Sequence, residues 1–265
     1  MKIFYGSDLH IEFSGPLPNV PKGDLLLLAG DIFTPWKMED EDRVKATQFF
    51  RECSNNFGEV IYTLGNHEHY GGFLYETDEL IKTFLSPFKN IRVLNNESVI
   101  YDNFSLFAST FWTNCKNSDP EVMWHLQRNM NDYGEISTSR DVVYGKSVKL
   151  RCPDTVAENF YSRKLLVEFL SRCNDYLKHP LIMTHHNPSM FCVPHKYKLD
   201  DLSYGYSNTG LDDLLLDERE FTWICGHTHE EFDESFGNGR IVRNCRGYVG
   251  HELAATLFQF KELFL

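Results

Sequence analysis

An α/β fold is predicted for this chain, and two observations support it. Short apolar runs with the character of β-strands alternate with longer segments that have the periodicity of amphipathic helices. One such run, residues 24–29 (DLLLLA), is apolar at every position after the first, which is typical of strands buried on both faces of a sheet. The length of 265 residues suits a single domain, for which we set the bounds 1–265.

The first half of the chain shows a regular succession of elements. Residues 2–6 (KIFYG) and 59–64 (EVIYTL) have the composition of strands. Residues 40–56 place Phe49 and Phe50 on one helical stripe and charged residues on the opposite face. We predict strands at 2–6, 24–29, 59–64, 91–94, 98–101 and 104–109, and helices at 40–56 and 73–85.

The second half is less regular. Residues 112–155 are polar and follow neither the strand nor the helix period, so we expect an elaborate loop or small cap inserted into the domain. Residues 189–210 also have the composition of a loop. The remaining predictions are a helix at 156–178, strands at 180–184, 221–225 and 254–260, and an antiparallel pair around the turn at 236–240.

The composition argues against several classes of protein. A net charge of −12 and an isoelectric point of about 5.3 make the average surface repel polyanions, which argues against nonspecific nucleic-acid binding. Seven cysteines without a C-x-x-C pair fit reduced thiols in a cytosol better than disulfides or a sulfur-bound zinc. No signal-peptide pattern and no run long enough to span a membrane is present, so we expect a cytoplasmic protein without membrane contact.

Five strand-like runs end directly in residues of the types that bind metals. These residues are Asp8 and His10, Asp31, Asn66 and His67, His185 and His186, and His227 and His229. Because sites in open α/β sheets form beyond the carboxyl ends of the strands, we expect the five segments to meet. Each motif alone is weak, since a Gly-Asp pair is usually a turn and a single histidine is usually structural. Residues two apart on a strand face the same side, so Asp8 and His10 are expected to face one ion.

The ordered set of motifs resembles the calcineurin-like metallophosphoesterase superfamily. The matching blocks are Asp8-Leu9-His10, Gly30-Asp31, Gly65-Asn66-His67-Glu68, His185 and Gly226-His227-Thr228-His229. They follow the order of the family and span residues 8 to 229, which is most of the chain. Three further segments resemble those of a bacterial and phage branch of that superfamily. They are THHNPS (184–189), MNDY (130–133) and NCRGY (244–248).

The resemblance implies two metal ions that share one carboxylate. By motif position, the first ion is held by Asp8, His10, Asp31 and His229, and the second by Asp31, Asn66, His185 and His227. Asp31 is the bridging residue. His67 lies outside the metal shell and faces the substrate as general acid, and Glu68 is expected to orient its ring. The implied fold is a four-layer α/β/β/α sandwich of two mixed sheets.

The chemistry of phosphoester hydrolysis independently requires such a set of residues. A phosphoester is anionic and resists attack by another anion, whereas two nearby cations neutralise it and generate hydroxide near neutral pH. Mixed imidazole, carboxylate and amide ligands suit Mn²⁺, and also Fe, Co, Zn or Ni, better than Ca²⁺. We therefore expect two divalent ions, with Mn²⁺ as the first candidate.

The function predicted is hydrolysis of a small or nucleotide-type phosphodiester. Phosphomonoesterases and nucleases use the same ligands and stay as alternatives. The protein phosphatases of the superfamily usually carry arginines after the Asp and Asn motifs, where they clamp a phosphate. No arginine follows Asp31 or lies near Asn66 in this sequence, so a protein phosphatase ranks lower. A non-catalytic scaffold for protein partners would predict gaps in the ligand set, and a structural zinc protein would predict sulfur ligands.

A few further residues have two interpretations each. Asn131 lies in a loop segment and is a candidate for substrate contact. Arg246 is able either to clamp a phosphate bidentately or to tie loops together. His69 is interpreted as a bystander or as a residue behind the metal ligands. Gly65 is expected to allow a sharp turn before Asn66.

Overall fold

Two large mixed β-sheets form the centre of the protein, which we describe from a computed structural model for residues 1–13, 15–140, 146–176, 178–217 and 220–265. In the first sheet the strand order is β13-β1-β2-β3-β4, and only β13 is antiparallel to its neighbour. The bounds are β1 (Ile3–Gly6), β2 (Gly23–Ala29), β3 (Phe57–Thr63), β4 (Ile91–Val93) and β13 (Lys261–Leu263).

The second sheet has the order β11-β12-β10-β9-β6-β5, with four parallel strands between antiparallel edge strands. Its strands are β5 (Glu97–Ile100), β6 (Phe104–Ser109), β9 (His179–Thr184), β10 (Thr222–Cys225), β11 (Phe232–Phe236) and β12 (Gly239–Arg243). Parallel strands buried on both faces explain why their sequences are apolar almost throughout.

Three apolar clusters separate the layers. Leu27 of the first sheet and Leu181 and Ile224 of the second belong to one buried cluster, so the sheets pack face to face. The helices α1 (Asp40–Asn56) and α2 (Thr77–Leu85) cover the outer face of the first sheet, and α6 (Cys152–Tyr176) and α8 (Asp212–Asp217) cover that of the second. The predicted α/β/β/α sandwich is therefore confirmed.

Two expectations were open for residues 112–155, an elaborate loop or a small cap, and the structure has short helices and a hairpin there. They are α3 (Cys115–Ser118), a single left-handed turn, α4 (Pro120–Asn129), α5 (Asp132–Glu135), β7 (Ser137–Arg140) and β8 (Ser147–Lys149). Asp119 caps α4 and accepts from the amides of Glu121 and Val122. These elements share their own buried cluster, which includes Leu126 and Ile136.

Other boundaries also differ from the predictions. The strand expected at 254–260 is a 3-10 turn (Leu253–Thr256) followed by the edge strand β13, because Phe260 packs into the core instead of pairing. Helix α2 begins at Thr77, later than predicted, and α6 begins at Cys152, earlier than predicted. Residues 189–210 contain only short helical turns, among them α7 (Ser203–Tyr206).

All seven cysteines are buried. In the described part of the chain, no helix combines the length and apolarity that crossing a bilayer requires.

Candidate metal centre

The predicted site residues lie in loops that follow five strands, at one edge of the sandwich. Asp8 and His10 follow β1, Asp31 follows β2, Asn66 and His67 follow β3, His185 and His186 follow β9, and His227 and His229 follow β10. The loops are joined by backbone hydrogen bonds, since the Asp8 amide donates to the Gly30 carbonyl at 2.9 Å and the Gly226 amide to the His185 carbonyl at 2.9 Å. Both sheets therefore contribute to one site.

Five of these residues have a left-handed backbone, which is rare outside glycine. Their φ angles are 52° for Asp8, 45° for His10, 54° for Asp31, 73° for His227 and 49° for His229. The extended conformation expected at Asp8 and His10 was therefore wrong, although the two side chains do approach one cluster. A left-handed non-glycine residue costs about 1–2 kcal/mol, and such strain concentrates at functional sites.

The first cluster consists of Asp8, His10 and His229, whose donor atoms all lie within 4.8 Å of one another. The Nε2 atoms of His10 and His229 are 3.2 Å apart, and His229 Nε2 lies 3.4 Å from Asp8 Oδ1. Asp8 and His10 are fully buried, and His229 is partly open to solvent.

The second cluster consists of Asp31, His185 and His227, with Asn66 beside it. His185 Nε2 lies 3.3 Å from Asp31 Oδ2, 3.1 Å from His227 Nδ1 and 3.0 Å from Asn66 Oδ1. Asp31 Oδ2 is also 3.8 Å from His10 Nε2. One carboxylate oxygen therefore faces both clusters.

The two clusters fit divalent ions, and the spacing of their atoms is the reason. Imidazole nitrogens approach each other to 3.2 Å in the first cluster and 3.1 Å in the second, and in each a carboxylate oxygen lies 3.3–3.4 Å from one of the two nitrogens. With metal–ligand bonds of about 2.1 Å, neighbouring ligands around one ion lie about 3 Å apart. His227 Nε2 is in addition buried without a hydrogen-bond partner.

Hydrogen bonds behind the clusters fix which ring nitrogen faces inward. His185 Nδ1 donates to the Ala29 carbonyl at 2.9 Å, so its Nε2 points to Asp31. His229 Nδ1 bonds to Glu252 Oε1 at 2.8 Å, so its Nε2 points to Asp8. Such outer partners orient metal-binding histidines. Glu252 was missed because it lies in an irregular C-terminal segment without a recognisable motif.

The three histidines nearest the carboxylates differ in their pKa. Against the effect of burial, Asp31 raises the pKa of His185 to about 10 and Asp8 raises that of His229 to about 9. Burial lowers the pKa of His10 to about 4 against the pull of Asp31, so its ring is neutral near neutral pH and offers a lone pair. Burial alone would raise the pKa of Asp8, but the hydrogen bond from His229 and the charge of His185 hold it below its ordinary value. The carboxylates are therefore ionised and available as ligands.

The cap segment contributes directly to the site through Asp132. Asn66 Nδ2 donates to Asp132 Oδ1 at 2.7 Å, which leaves Asn66 Oδ1 directed at His185. The hydroxyl of Tyr70 donates to the same Asp132 oxygen at 2.7 Å. Asp132 of the MNDY segment thus holds the side chain of the predicted ligand Asn66, while the adjacent Asn131 lines the cleft.

Replacing Asp132 by Ala is expected to weaken binding of the second divalent ion by about 10–100-fold, because the Asn66 amide loses the partner that fixes its orientation. Titration of metal-stripped protein with Mn²⁺ measures the change. Glu121→Ala, in the exposed first turn of α4, is the control and should leave both affinities unchanged. Equal affinities in Asp132→Ala and wild type would show that Asn66 needs no support.

Gly65 is required for close approach and not for a special backbone angle. A Cβ atom at this position would lie 2.1 Å from Asp31 Oδ1 and 2.7 Å from the Asp31 amide nitrogen. Gly65 is not among the glycines with a positive φ, so the absence of a side chain, and not a left-handed backbone, is what the turn before Asn66 uses. Glycine allows the loop after β3 to lie directly against Asp31.

Gly65→Ala is expected to lower the free energy of unfolding by about 1–3 kcal/mol and to reduce turnover, because Asp31 must move to make room. Thermal melts and turnover measurements test both effects. Gly134→Ala is a matched control, since a Cβ there meets nothing within 4 Å. A Gly65 variant as stable and active as wild type would refute the close-contact argument.

Glu68 does not orient His67, so that expectation was wrong. Its buried carboxylate instead accepts hydrogen bonds from the amides of Asp31, Ile32 and Gly65 and from the Tyr62 hydroxyl. Glu68 therefore ties the loop after β2 to the loop after β3.

His67 lies at the wall of the cleft beside the second cluster. Its ring stacks on Tyr70 with centroids 4.2 Å apart, and its Nε2 is 3.3 Å from the Tyr248 hydroxyl. The His67 amide donates to Asp31 Oδ1 at 2.9 Å. Burial lowers the pKa of His67, opposed chiefly by Asp31.

Arg246 joins loops to each other and does not face the cleft as a phosphate-binding residue. Its guanidinium donates to the carbonyls of Leu9, Pro16 and Ala255 and is almost completely buried. Arg246 is also not among the residues of the described chain that line the cleft. It joins the first metal loop to the C-terminal segment.

A cleft of about 650 Å³ lies over the two clusters. Asp31, Asn66 and His227 open onto it from below, and the cap contributes residues 129–132. Tyr206 packs on His227 with ring centroids 4.6 Å apart. Tyr206 and Tyr248 of the wall were not predicted, because tyrosines in polar loops carry no positional signal.

A four-layer α/β/β/α sandwich with two carboxylate–histidine clusters at one edge places this chain among the metal-dependent phosphoester hydrolases. The sequence model described as calcineurin-like phosphoesterase matches residues 1–231. The chain therefore belongs to the calcineurin-like phosphoesterase family, whose members depend on two metal ions, and the predicted resemblance is confirmed. No curated protein sequence matches the chain.

Solved structures show the same fold at low sequence identity. The phosphopantetheinyl hydrolase PptH from Mycobacterium tuberculosis is 14% identical, with a TM-score of 0.63 over 99% of this chain and 95% of that one. A dimetal phosphatase from Danio rerio is 11% identical, with a TM-score of 0.54 over 92% of this chain and 87% of that one. At these identities the likeness concerns the fold alone.

Proposed function

We propose that the protein is a dinuclear metal-dependent phosphodiesterase that hydrolyses a small or nucleotide-type phosphoester. The observation that carries the proposal is the position of Asp31 between two histidine-rich clusters at the floor of the cleft. Membership of the family supports hydrolysis of a phosphoester. The volume of the cleft supports an ester with two substituents on the phosphorus.

The proposed ligands of the first ion are Asp8, His10, Asp31 and His229. Those of the second ion are Asp31, Asn66, His185 and His227. Two divalent ions would supply Lewis-acid stabilisation of the phosphoryl oxygens and a lowered pKa of the attacking water. Neutral imidazoles, two carboxylates and an amide oxygen suit borderline ions, so we propose Mn²⁺ as the native metal, with Fe, Zn, Co or Ni as alternatives.

His67 is proposed as the general acid for the leaving oxygen. Its Nε2 lies 4.0 Å from Asp31 Oδ2, and the side chain converges with His10 and Glu12 and not with the second cluster. A proton held at this atom can be delivered to an alkoxide that leaves from the floor of the cleft. Stacking on Tyr70 keeps the ring in position, and the Tyr248 hydroxyl lies 3.3 Å from Nε2.

The dimensions of the cleft favour a diester over a monoester. A volume of about 650 Å³ leaves room for two substituents on the phosphorus. The rings of Tyr206 and Tyr248 provide flat surfaces against which a base or another planar group can stack. Asn131 lines the same wall and is the proposed polar contact to the substrate.

The protein is further proposed to act in the cytoplasm on soluble substrates. Seven buried cysteines without a C-x-x-C pair support a reducing compartment. The net charge of −12 supports a small substrate over nonspecific binding of nucleic acid.

A metal-reconstitution experiment tests the proposed function. Metal-stripped protein is reloaded separately with Mn²⁺, Zn²⁺ and Mg²⁺ and assayed with bis-p-nitrophenyl phosphate and p-nitrophenyl phosphate. We expect Mn²⁺-dependent cleavage of the diester at a higher kcat/KM than the monoester. Preference for the monoester would indicate a phosphatase. Stoichiometric metal binding without any hydrolysis would favour a scaffold that binds a protein partner.

A further inference from the structure

Tyr248 lies over the first metal cluster, at the end of the NCRGY segment that follows β12. The backbone of this segment is joined to the loop after β1, since the Gly247 amide donates to the Asp8 carbonyl at 3.0 Å. The Tyr248 amide donates to Glu252 Oε1 at 3.2 Å, and the same oxygen bonds to His229 Nδ1 at 2.8 Å. Tyr248 is therefore held by the elements that also hold the metal-binding residues.

The ring of Tyr248 packs on both histidines of the first cluster. Its centroid lies 4.5 Å from that of His10 and 4.6 Å from that of His229. Phe13 packs against the same ring, with centroids 5.0 Å apart. A closely packed ring keeps one orientation, so the position of the hydroxyl is set by the fold.

The hydroxyl of Tyr248 lies beside the proposed general acid. It is 3.3 Å from His67 Nε2, and this nitrogen is 4.0 Å from Asp31 Oδ2. Tyr248, His67 and Asp31 all line the cleft. The hydroxyl and the imidazole nitrogen therefore lie side by side, next to the carboxylate that faces both clusters.

The direction of this contact leaves a hydrogen atom for the substrate. A general acid carries its proton at the nitrogen that faces the leaving oxygen, so His67 Nε2 is then a donor. Tyr248 meets a donor with its oxygen, and its own O–H is then available as a second donor. Two donors 3.3 Å apart can both reach one substrate oxygen at about 2.8 Å.

We propose that Tyr248 is a second catalytic residue, whose hydroxyl donates a hydrogen bond to the oxygen that leaves the phosphorus. The proposal rests on phosphoester hydrolysis at the two metal clusters. As the P–O bond breaks, His67 gives its proton to the leaving oxygen, and Tyr248 keeps its own proton and stabilises the charge that develops there. Fixed donors at such a position lower the barrier, because the charge they stabilise is largest in the transition state.

Positioning of His67 does not account for Tyr248 equally well. The ring of His67 stacks on Tyr70 with centroids 4.2 Å apart, and its amide donates to Asp31 Oδ1 at 2.9 Å. These two contacts already fix the ring and the backbone of His67. The hydroxyl of Tyr248 is therefore available for a role toward the substrate.

Binding of vanadate tests the proposal without turnover. Vanadate can take five oxygen ligands, so that one of them occupies the position of the leaving oxygen, whereas inorganic phosphate has only four. In calorimetric titrations of Mn²⁺-loaded protein, Tyr248→Phe should weaken vanadate binding about tenfold or more and phosphate binding by less than about twofold. Phenylalanine keeps the ring that packs on His10 and His229, so the metal content should stay unchanged.

Turnover in two backgrounds distinguishes catalysis from positioning. Tyr248→Phe should lower kcat about 10–100-fold for diphenyl phosphate and less for bis-p-nitrophenyl phosphate, because p-nitrophenolate is the better leaving group. In the His67→Gln background it should lower the residual kcat again, by about fivefold or more. No further loss there would show that the hydroxyl acts only by holding His67, and would overturn the proposal.

Tyr176→Phe is the matched control, because it removes the same hydroxyl from an exposed position at the end of α6. It should leave vanadate binding and turnover unchanged, and thermal melts verify that each variant is folded. Equal vanadate affinity in Tyr248→Phe and wild type would overturn the proposal, and so would equal losses for vanadate and phosphate. If the wild type binds vanadate but hydrolyses no ester, the proposed function fails, while the vanadate affinities still decide whether the hydroxyl contacts the fifth oxygen.

Discussion

Replacing Asp31 by Asn is expected to lower kcat/KM for a phosphodiester by at least about a thousandfold, which corresponds to about 4 kcal/mol of lost transition-state stabilisation. Asp31 Oδ2 faces His185 at 3.3 Å and His10 at 3.8 Å, so one substitution affects both clusters. An amide in its place is neutral and would direct either a weaker oxygen or an N–H group at the two ions.

The Asp31→Asn variant is close in shape to wild type, so loss of activity is separable from loss of folding. Its Oδ1 can still accept from the His67 amide, a bond of 2.9 Å in the native protein. Metal content per chain should fall, while the thermal melt should stay cooperative. Asp40→Asn, at an exposed position of α1, is the control. An Asp31 variant within tenfold of wild-type activity would contradict the proposed bridging role.

His67→Gln is expected to lower kcat by about 100–10,000-fold while two metal ions stay bound, because a general acid is removed and the proposed ligands are left intact. The side chain contacts Tyr70 and Tyr248 and belongs to neither of the two ligand clusters. KM should change little, since the proton is required only as the leaving oxygen departs.

The dependence on the leaving group distinguishes proton transfer from mere positioning by His67. A general acid matters most for a poor leaving group, so the loss should be larger for a phenyl ester than for a p-nitrophenyl ester. His251→Gln, at an exposed position, is the control. An equal loss for both esters, or loss of bound metal, would contradict the role as general acid.

Local sequence patterns were sufficient to predict most strands of the two sheets. The run of leucines in β2 indicates a strand that is buried on both faces, and it pairs with parallel strands on both sides. The cap shows where this reasoning fails. Its helix α4 has Val122 and Leu126 on one face, and this signal is too short to be recognised without the cluster that buries it.

The site shows the same division between local and tertiary information. The motifs around Asp31 and His185 were recognisable because their spacing from strand ends is local. The partners behind them were not, since Glu252 and Asp132 are brought to His229 and Asn66 only by folding. Glu68 was assigned the wrong partner for the same reason, and the sequence left the two interpretations of Arg246 open.

Residue type, order and strand ends in the sequence were thus enough to predict the α/β class, the family and the set of candidate ligands. They are local properties, because a run of apolar residues and the polar residues after it are adjacent in the chain. Folding alone established the left-handed conformation of Asp8, the contact of Gly65 with Asp31 and the bond of Asp132 to Asn66. Each of these depends on segments that are distant in sequence, and packing and hydrogen bonding between such segments have no signature in either one alone.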